Sequence, residues 1–300
     1  MRISIQNFGE SHGQEIGAVI TNFPAGMKID YNRINKLLDR RRGNKRIEPD
    51  EYRFVSGVYE GHTTGAPICV IIKNKDIKSE DYDRYVMRPS HADYSAFVKF
   101  GGFNDYRGGG HFSGRLTAPM VVLGSLCLQY LEEKNINVTA NLLINTDCPE
   151  NDSIGGKIEI KATGVPTGLG GYGSTSCESV ISSYLFSIPA VKAVEFGLGV
   201  EFADSLGSQV NDEYFYEEDK VKLKYNNNGG MLGGITTGED IIARITIKPT
   251  PSIALEQNTI NIKTQENVKY KVKGRHDDCI ARRIPPIAES YMAFALMELL

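Results

Sequence analysis

The stretch LTAPMVVLGSLCLQYLEE, residues 116–133, is the longest helical pattern in the chain. Apolar side chains surround this predicted helix on almost every side, at Met120, Val121, Val122, Leu123, Leu126 and Leu128. A helix at the surface of a globular protein would keep one face polar. The pattern therefore predicts a helix buried in the core, with other elements packed around it.

The rest of the chain mixes strand and helix patterns. Asp30 is positioned to cap a helix that runs to about Arg41, and further helices are predicted from about Ala92, over 178–186 and from about Ile287. Strand patterns flank a turn over 9–17 and recur at 54–59, 68–73, 137–144, 157–162, 193–196 and 241–247. Many connections are too short for parallel crossovers. We therefore predict an α+β fold in which helices are layered with largely antiparallel sheet, in a single domain over 1–300.

Composition limits the classes of partner. The net charge of −3 comes from 34 basic and 37 acidic residues, which gives no overall field to attract nucleic acid. No apolar run reaches the length of a membrane span, and the N-terminus has no hydrophobic segment of a secretory signal. The five cysteines are widely spaced without a C-x-x-C pair, which favours free thiols. We expect a cytoplasmic protein that binds neither nucleic acid nor membrane.

Positive charge is nevertheless concentrated locally. The segment DRRRGNKR (39–46) places five cations within seven residues. Other arginines stand beside glycines or histidines, at Arg88, Arg107, Arg115, Arg275, Arg282 and Arg283. In a mildly acidic protein this pattern favours the binding of small anions. A solvated helix end, stabilised by the helix dipole, explains the 39–46 cluster equally well from the sequence.

The glycine-rich segment GGFNDYRGGGHFSGR (101–115) runs directly into the predicted core helix. Backbone amides at such a turn, before a helix N-terminus, are typical of an anion site. The segment matches neither the P-loop nor the dinucleotide-binding pattern. A flexible linker is the alternative, although linkers do not usually open an apolar helix. A second glycine-rich segment, NNNGGMLGGI (226–235), indicates a hairpin that is compatible with ligand contact.

All five histidines, residues 12, 62, 91, 111 and 276, stand in polar, charged or glycine-rich stretches. Their spacing contains no i, i+4 pair and no H-E-x-x-H, so zinc is disfavoured and we predict no metal site. A serine hydrolase is disfavoured too, because adjacent Ser11 and His12 cannot act as nucleophile and base, and G-x-S-x-G is absent. Proton transfer by histidine near a bound anion remains, with Asp277 as a candidate base.

An ordered set of motifs then carries a resemblance over nearly the whole chain: FGESHG (8–13), DRRR (39–42), GVYEGHTTG (57–65), RPSHADY (88–94), DYRGGG (105–110), GGMLGGI (229–235), KPT (248–250) and GRHD (274–277). In their order and spacing these motifs closely resemble the chorismate synthase family. The resemblance implies a β-α-β sandwich subunit, assembled as a homotetramer, that requires reduced FMN. It implies conversion of 5-enolpyruvylshikimate 3-phosphate to chorismate and phosphate by 1,4-anti elimination, the last common step of the shikimate pathway to the aromatic amino acids.

The resemblance also implies roles for individual residues. His12 would protonate or stabilise the departing phosphate, His91 would donate to the anionic reduced flavin, and Asp277 would help to remove the C6 proton. Contacts with the flavin would come from His111, Phe112, Ser113, Pro189, Ala190, Gly233, Lys248, Pro249, Thr250, Pro251, Ser252 and Arg275. Positions linked to NADP in the family would fall on Arg41 and Arg46. Ser11 would lie near the substrate, and our candidates for contacts with substrate anions are Arg40, Arg88, Arg107 and Arg115.

The chain departs from the family pattern both in length and at individual positions. Compared with the family pattern, we expect it to be shortened after Arg42, between Asn145 and Ser153, and after Leu300. His111-Phe112-Ser113 stands where Arg-Ser-Ser is common, Pro189 where asparagine is frequent, and Asp278 in place of the usual proline. A non-catalytic flavin- or anion-binding relative therefore stays open as an alternative. No dinucleotide fingerprint occurs, so we expect an external flavin reductase or other reductant, with NADPH as an indirect source.

Overall fold

The computed structural model describes residues 2–42, 50–75, 77, 79–143, 147–272 and 277–300. The helices are α1 (Tyr31–Arg41), α2 (Asp93–Lys99), α3 (Thr117–Glu133), α4 (Cys177–Phe186), α5 (Gly207–Val210) and α6 (Pro285–Leu299). The strands are β1 (Ser4–Gly9), β2 (Glu15–Thr21), β3 (Tyr52–Ser56), β4 (Val58–Tyr59), β5 (His62–Thr63), β6 (Ile68–Lys73), β7 (Asn137–Leu142), β8 (Gly156–Thr163), β9 (Val191–Phe196), β10 (Tyr214–Glu217), β11 (Lys220–Leu223), β12 (Met231–Leu232), β13 (Ile235–Thr236), β14 (Ile241–Ile247), β15 (Gln257–Asn261) and β16 (Glu266–Tyr270).

Two four-stranded antiparallel sheets form the outer layers. Their strand orders are β1-β2-β6-β3 and β7-β8-β14-β9. Helices fill the space between the sheets: α3 lies against the first sheet, α4 and α6 lie against the second, and α1 packs on α3 and α6. One cluster of buried hydrophobic residues includes side chains from both sheets and from the helices between them. The predicted α+β fold of helices layered with antiparallel sheet is confirmed.

The two central helices explain the apolar stretch at 116–133. Helix α3 contacts β2 and β6 on one side and α6 on the other, so almost all of its side chains are buried. The two helices also approach closely, because a Cβ atom added to Gly124 would lie 2.2 Å from Cβ of Ser290. The prediction of a buried core helix is therefore confirmed.

Most predicted boundaries agree with the structure to within a few residues. Asp30 caps α1 as expected, since its side chain accepts hydrogen bonds from the backbone N–H groups of Asn32 and Arg33. The predicted strand over 54–59 is instead broken into β3 and β4. Gly57, between them, has φ of 80°, in the left-handed region that interrupts an extended strand. Among the helices described, none combines the length and apolarity needed to cross a membrane.

Candidate active site

Two adjoining cavities lie where the glycine turn before α3 meets the second sheet. The larger, which we call the main cavity, has a volume of about 790 Å³ and is bounded by the end of α4, the start of β9 and the turn after β14. The smaller has a volume of about 230 Å³. We call it the arginine cavity, because its lining includes Arg41, Arg42, Arg115 and Arg283. The two share Ser113, Gly114, Thr117, Pro189, Asp277 and Arg283 along their common wall.

The glycine turn holds the segment that carries Ser11 and His12 against the main cavity. Gly108, Gly109 and Gly110 all have positive φ, at 59°, 83° and 52°, a conformation that suits glycine. The hydroxyl of Ser11 donates to the Gly108 carbonyl over 3.0 Å. A Cβ atom on Gly108 would lie 2.4 Å from the His12 ring. The absence of a side chain at Gly108, which itself lines the main cavity, therefore leaves room for His12 directly behind the turn.

Both ring nitrogens of His91 have hydrogen-bond partners. Nδ1 lies 2.9 Å from the carbonyl oxygen of Pro89, which can only accept, so Nδ1 carries a proton. Nε2 lies 2.9 Å from the hydroxyl of Ser252 and, in the neutral ring, accepts from it. Burial and the nearby charge of Arg88 lower the pKa of His91 to about 4. His91 is therefore a neutral group at pH 7.

Arg88 lines the main cavity together with His91, and it is firmly held. Its guanidinium makes two hydrogen bonds to the Asp93 carboxylate, at 2.7 and 2.8 Å, and lies 5.1 Å from the centre of the Tyr82 ring. The pair is almost entirely buried. A bidentate pair of this kind fixes geometry as well as charge. Tyr82 also meets the His12 ring edge-on at 5.1 Å, which links the surroundings of His12 and His91.

The turn after β14 supplies a cation and an unused donor. The Nζ atom of Lys248 donates to the Ser90 carbonyl over 2.7 Å. Burial and the charge of Lys192 lower the pKa of Lys248. The buried hydroxyl of Thr250 has no hydrogen-bond partner within the part of the chain that the structure describes. Because buried polar groups are nearly always hydrogen-bonded, this hydroxyl is suited to a ligand in the main cavity.

Asp277 lies on the wall between the two cavities. Its carboxylate accepts from Arg283 Nη1 over 2.7 Å, and Arg283 Nε donates to the Arg41 carbonyl over 2.9 Å. Arg283 therefore orients Asp277 and fixes it to the C-terminus of α1. This places a carboxylate at the boundary that a ligand occupying both cavities would cross.

The arginine cavity is organised by one buried carboxylate. Asp50 accepts hydrogen bonds from both Arg41 and Arg115. Arg41 also donates to Thr117 Oγ1 over 3.0 Å and to the Gly114 carbonyl over 3.1 Å, and is itself buried. Asp50 therefore holds both guanidinium groups at the wall of the arginine cavity.

The structure brings together many of the predicted site residues. Those that line the main cavity are Arg88, His91, His111, Phe112, Ser113, Pro189, Ala190, Lys248, Thr250, Pro251, Ser252 and Asp277. Pro249 lies within the same turn as its neighbours. Arg41 and Arg115 line the arginine cavity, and Ser11, His12 and Arg107 belong to the glycine turn and the segment packed behind it. Arg46 and Arg275 lie outside the described residues.

Two predicted residues lie elsewhere. Arg40 makes a bidentate pair with Glu289 of α6, at 2.8 Å for both bonds. Gly233 lies in the turn between β12 and β13, and the neighbouring Gly234 carbonyl accepts from the N–H of Cys177 at the start of α4. The main cavity lies at the other end of that helix. Within one chain, therefore, neither residue is next to the main cavity.

Sequence reasoning missed three residues that shape the site. Tyr82 lies in a segment without a distinctive motif, and nothing in the sequence distinguishes Arg283 from the other arginines. Lys192 lines the main cavity from β9, although a lysine in a short strand normally indicates a solvated face. Its position depends on strand register, for which the sequence carries no separate signal.

Fold and cavities together define the class of protein. The main cavity combines cations, a neutral histidine and an aromatic side chain, Phe112, in a volume typical of small-molecule sites. Across the described ranges, no group of three histidine, cysteine or acidic side chains is arranged to hold a metal ion. These features are typical of an enzyme that acts on a small molecule.

The chain belongs to the chorismate synthase family. The model of that family matches residues 3–147 and 141–300. Chorismate synthase from Pyrococcus abyssi is 42% identical over 338 aligned positions, which cover 99% of this chain and 95% of that protein. The corresponding protein of Chitinophaga pinensis is 41% identical over 309 positions, covering 97% and 92%. A crystal structure of chorismate synthase superposes with a TM-score of 0.76 at 25% identity, covering 100% of this chain and 91% of that one.

The alignments also bear on chain length. The alignment with the Pyrococcus abyssi protein has 338 positions and this chain has 300 residues, so at least 38 positions are gaps in this chain. The two matched segments of the family model overlap at residues 141–147. This overlap adjoins the shortening that we expect between Asn145 and Ser153. This chain therefore lacks segments that the Pyrococcus abyssi protein has.

Proposed function

We propose that this protein eliminates phosphate from 5-enolpyruvylshikimate 3-phosphate to form chorismate, with reduced FMN bound in the main cavity. In this 1,4-anti elimination the C3–oxygen bond breaks, phosphate leaves with the electron pair, and the C6 proton is removed as the second double bond forms. Reactant and products have the same oxidation level. The observation that carries the proposal is the convergence of His91, Lys248 and Asp277 on one cavity, in a chain of this family.

The residues of the main cavity fit a flavin mononucleotide in size and chemistry. The volume of the main cavity, about 790 Å³, is large enough for flavin mononucleotide. Phe112 and Pro189 offer apolar surface for a planar ring, and Lys248 offers a cation for a phosphate. The unpartnered hydroxyl of Thr250 is a further donor in the same wall. When bound, the reduced flavin supplies electron density transiently to the breaking carbon–oxygen bond.

His91 is proposed to respond to negative charge in the main cavity. The Nδ1–H group of His91 donates to the Pro89 carbonyl, which leaves Nε2 as an acceptor, and the pKa of His91 is about 4. An anion close to Nε2 would stabilise the protonated ring and raise that pKa. Protonated His91 could then donate from Nε2, with Ser252 turning to accept or to contact the ligand. Binding of an anionic ligand should therefore be accompanied by proton uptake.

His12 is proposed to protonate the departing phosphate. The ring lies behind Gly108, so a phosphate resting on the glycine turn would be within its reach. Ser11 supports this position by its hydrogen bond to the Gly108 carbonyl. Arg107, paired with Asp105 at 2.8 Å, is half exposed beside the same turn and would add positive charge.

Asp277 is proposed to help remove the C6 proton from the shared wall of the cavities. Arg283 holds its carboxylate in place, which supports a positioned base. The arginine cavity would take the anionic groups of the substrate next to it, with Arg115 as the main contact. Arg40 and Arg88 stay predicted substrate contacts. Their bidentate pairs with Glu289 and Asp93 support a role in positioning other residues.

The assembly and the source of electrons are proposals from the family resemblance. We propose a cytoplasmic homotetramer of single-domain subunits, supplied with reduced flavin by an external reductase or other reductant. Arg41 is buried and bonded to Asp50 and Thr117, which supports a structural role more than contact with NADP. NADPH would then act only indirectly, through the separate reductase.

The test is anaerobic incubation with 5-enolpyruvylshikimate 3-phosphate, with and without chemically reduced FMN, measuring phosphate and chorismate. The proposal expects equal amounts of both products, and only with reduced FMN. Tight binding of substrate or flavin by a folded protein without turnover would instead support the non-catalytic relative. The shortened segments of the chain would then be the first place to look for the lost activity.

A further inference from the structure

Lys192 occupies a break in the register of two paired strands. Thr246 of β14 pairs with Ala193 of β9, but the next residue, Ile247, pairs with Val191. Lys192 therefore faces no residue of β14, and the extra residue forms a β-bulge. Bulges redirect side chains and are common beside active sites. Here the bulge residue lines the main cavity.

The backbone before this bulge has an uncommon conformation. Ala190 has φ of 72°, in the left-handed region that residues with a Cβ atom rarely adopt. Its carbonyl accepts from the backbone N–H of Lys248 over 2.9 Å. Such conformations persist where surrounding structure holds them, and they cluster at functional sites. This hydrogen bond joins the start of β9 to the end of β14. Lys192 and Lys248 therefore lie on the same wall of the main cavity.

The cations of the main cavity fall into two groups. Arg88 and Arg283 are each paired with a carboxylate that lines the same cavity, at 2.7 Å. Lys192 and Lys248 have no carboxylate at ion-pair distance among the residues that can be described. Burial and the charge of Lys192 lower the pKa of Lys248, so the two ammonium groups repel one another. An anion bound by both would remove this repulsion.

We propose that Lys192 and Lys248 together form a subsite for a phosphate monoester dianion, with Lys192 as a direct ligand contact. The inference rests on the proposed function, in which two molecules of this chemistry reach the cavity. One is flavin mononucleotide and the other is the phosphorylated substrate. The experiment must therefore distinguish which phosphate the lysines hold.

The experiment uses the full chain as wild type, Lys192→Met, Lys192→Arg and the control Lys220→Met. Lys220 is an exposed lysine of β11, outside both cavities. Flavin fluorescence measures the Kd values of FMN and riboflavin, and calorimetry measures that of 5-enolpyruvylshikimate 3-phosphate, all at one ionic strength. Circular dichroism and thermal unfolding check that each variant is folded.

Loss of a charged contact to phosphate should weaken binding about tenfold or more in Lys192→Met, and much less in Lys192→Arg. Weaker FMN binding with unchanged riboflavin binding assigns the subsite to the flavin phosphate. Weaker substrate binding with unchanged FMN binding assigns it to the substrate phosphate. Wild-type affinity of Lys192→Met for both phosphates overturns the subsite, as does an equal loss of riboflavin binding.

Failure of the proposed function would look different. A folded wild-type protein that forms no chorismate would count against the lyase, whatever the Lys192 variants do. A wild-type protein that forms chorismate, together with a Lys192→Met variant that binds both phosphates normally, would overturn only the lysine subsite.

Discussion

The two adjoining cavities hold their positive charges in opposite ways. In the arginine cavity, Arg41 and Arg115 share the buried carboxylate of Asp50. In the main cavity, Lys192 and Lys248 line the wall without a carboxylate partner among the described residues. Breaking a buried pair leaves an uncompensated charge in the interior, whereas removing a lysine that has no carboxylate partner leaves no charge uncompensated. The arginine cavity should thus be tied to stability, and the main cavity to binding and turnover.

The largest expected effect is on turnover in the main cavity. His12→Ala and His91→Ala should each reduce turnover about 10²–10⁴-fold, because positioned acid–base groups typically contribute that much. Thermal unfolding should stay close to that of the wild type. His62→Ala is the matched control, since His62 is exposed and, within the described residues, its ring has a hydrogen bond only with the Glu60 carbonyl. Wild-type rates in both His12→Ala and His91→Ala would refute their assigned roles.

The arginine cavity is tested by Asp50→Asn. Removing this buried charge leaves Arg41 and Arg115 without their shared carboxylate, and the free energy of unfolding should fall by about 3–5 kcal/mol. Urea unfolding measures the change. Asp39→Asn is the control, because its pair with Arg42 is exposed and should contribute at most about 1 kcal/mol. Equal losses in the two variants would remove the contrast between the cavities.

The titration of His91 gives a smaller effect with a defined sign. In the unfolded chain histidine binds a proton below about pH 6.5, whereas the pKa of folded His91 is about 4. Between these values the unfolded state binds more protons, so stability falls as the pH falls and is unaffected above about pH 6.5. The loss should reach up to about 3 kcal/mol near pH 4.

His91→Gln should lack this part of the pH dependence. Urea unfolding of wild type and variant at several values from pH 7.5 to 4 gives the difference directly, and other titrating groups cancel in the comparison. A constant difference across that range would show that burial does not keep His91 neutral.

The smallest effect on stability is expected for Arg107→Gln. Its pair with Asp105 is partly exposed, so the free energy of unfolding should change by less than about 1 kcal/mol. If Arg107 contacts a substrate anion, the KM for 5-enolpyruvylshikimate 3-phosphate should rise while the Tm holds. An unchanged KM would show that Arg107 does not contact the substrate and serves only in the structure of the glycine turn.

Much of the fold followed from local sequence patterns. The cap at Asp30, the apolar helix over 116–133 and the alternating strand at 241–247 were all predicted, because capping and periodicity are local properties. The break at Gly57 was not, since a glycine within a strand pattern is compatible with either a bulge or a turn. The family motifs likewise directed attention to His12, His91 and the turn at 248–252.

The sequence by itself determined the identity of the chemically active groups, the family and the buried character of α3. Only the tertiary structure decided which charged side chains are paired with an opposite charge and which are available to bind a ligand. Arg40 finds Glu289 some 250 positions away, and Lys192 reaches the main cavity through a bulge opposite β14. Pairing and register depend on contacts between distant segments, and the energy of a buried charge depends on its surroundings. Pairing, register and the energy of a buried charge therefore cannot be predicted from residues that are neighbours in the chain.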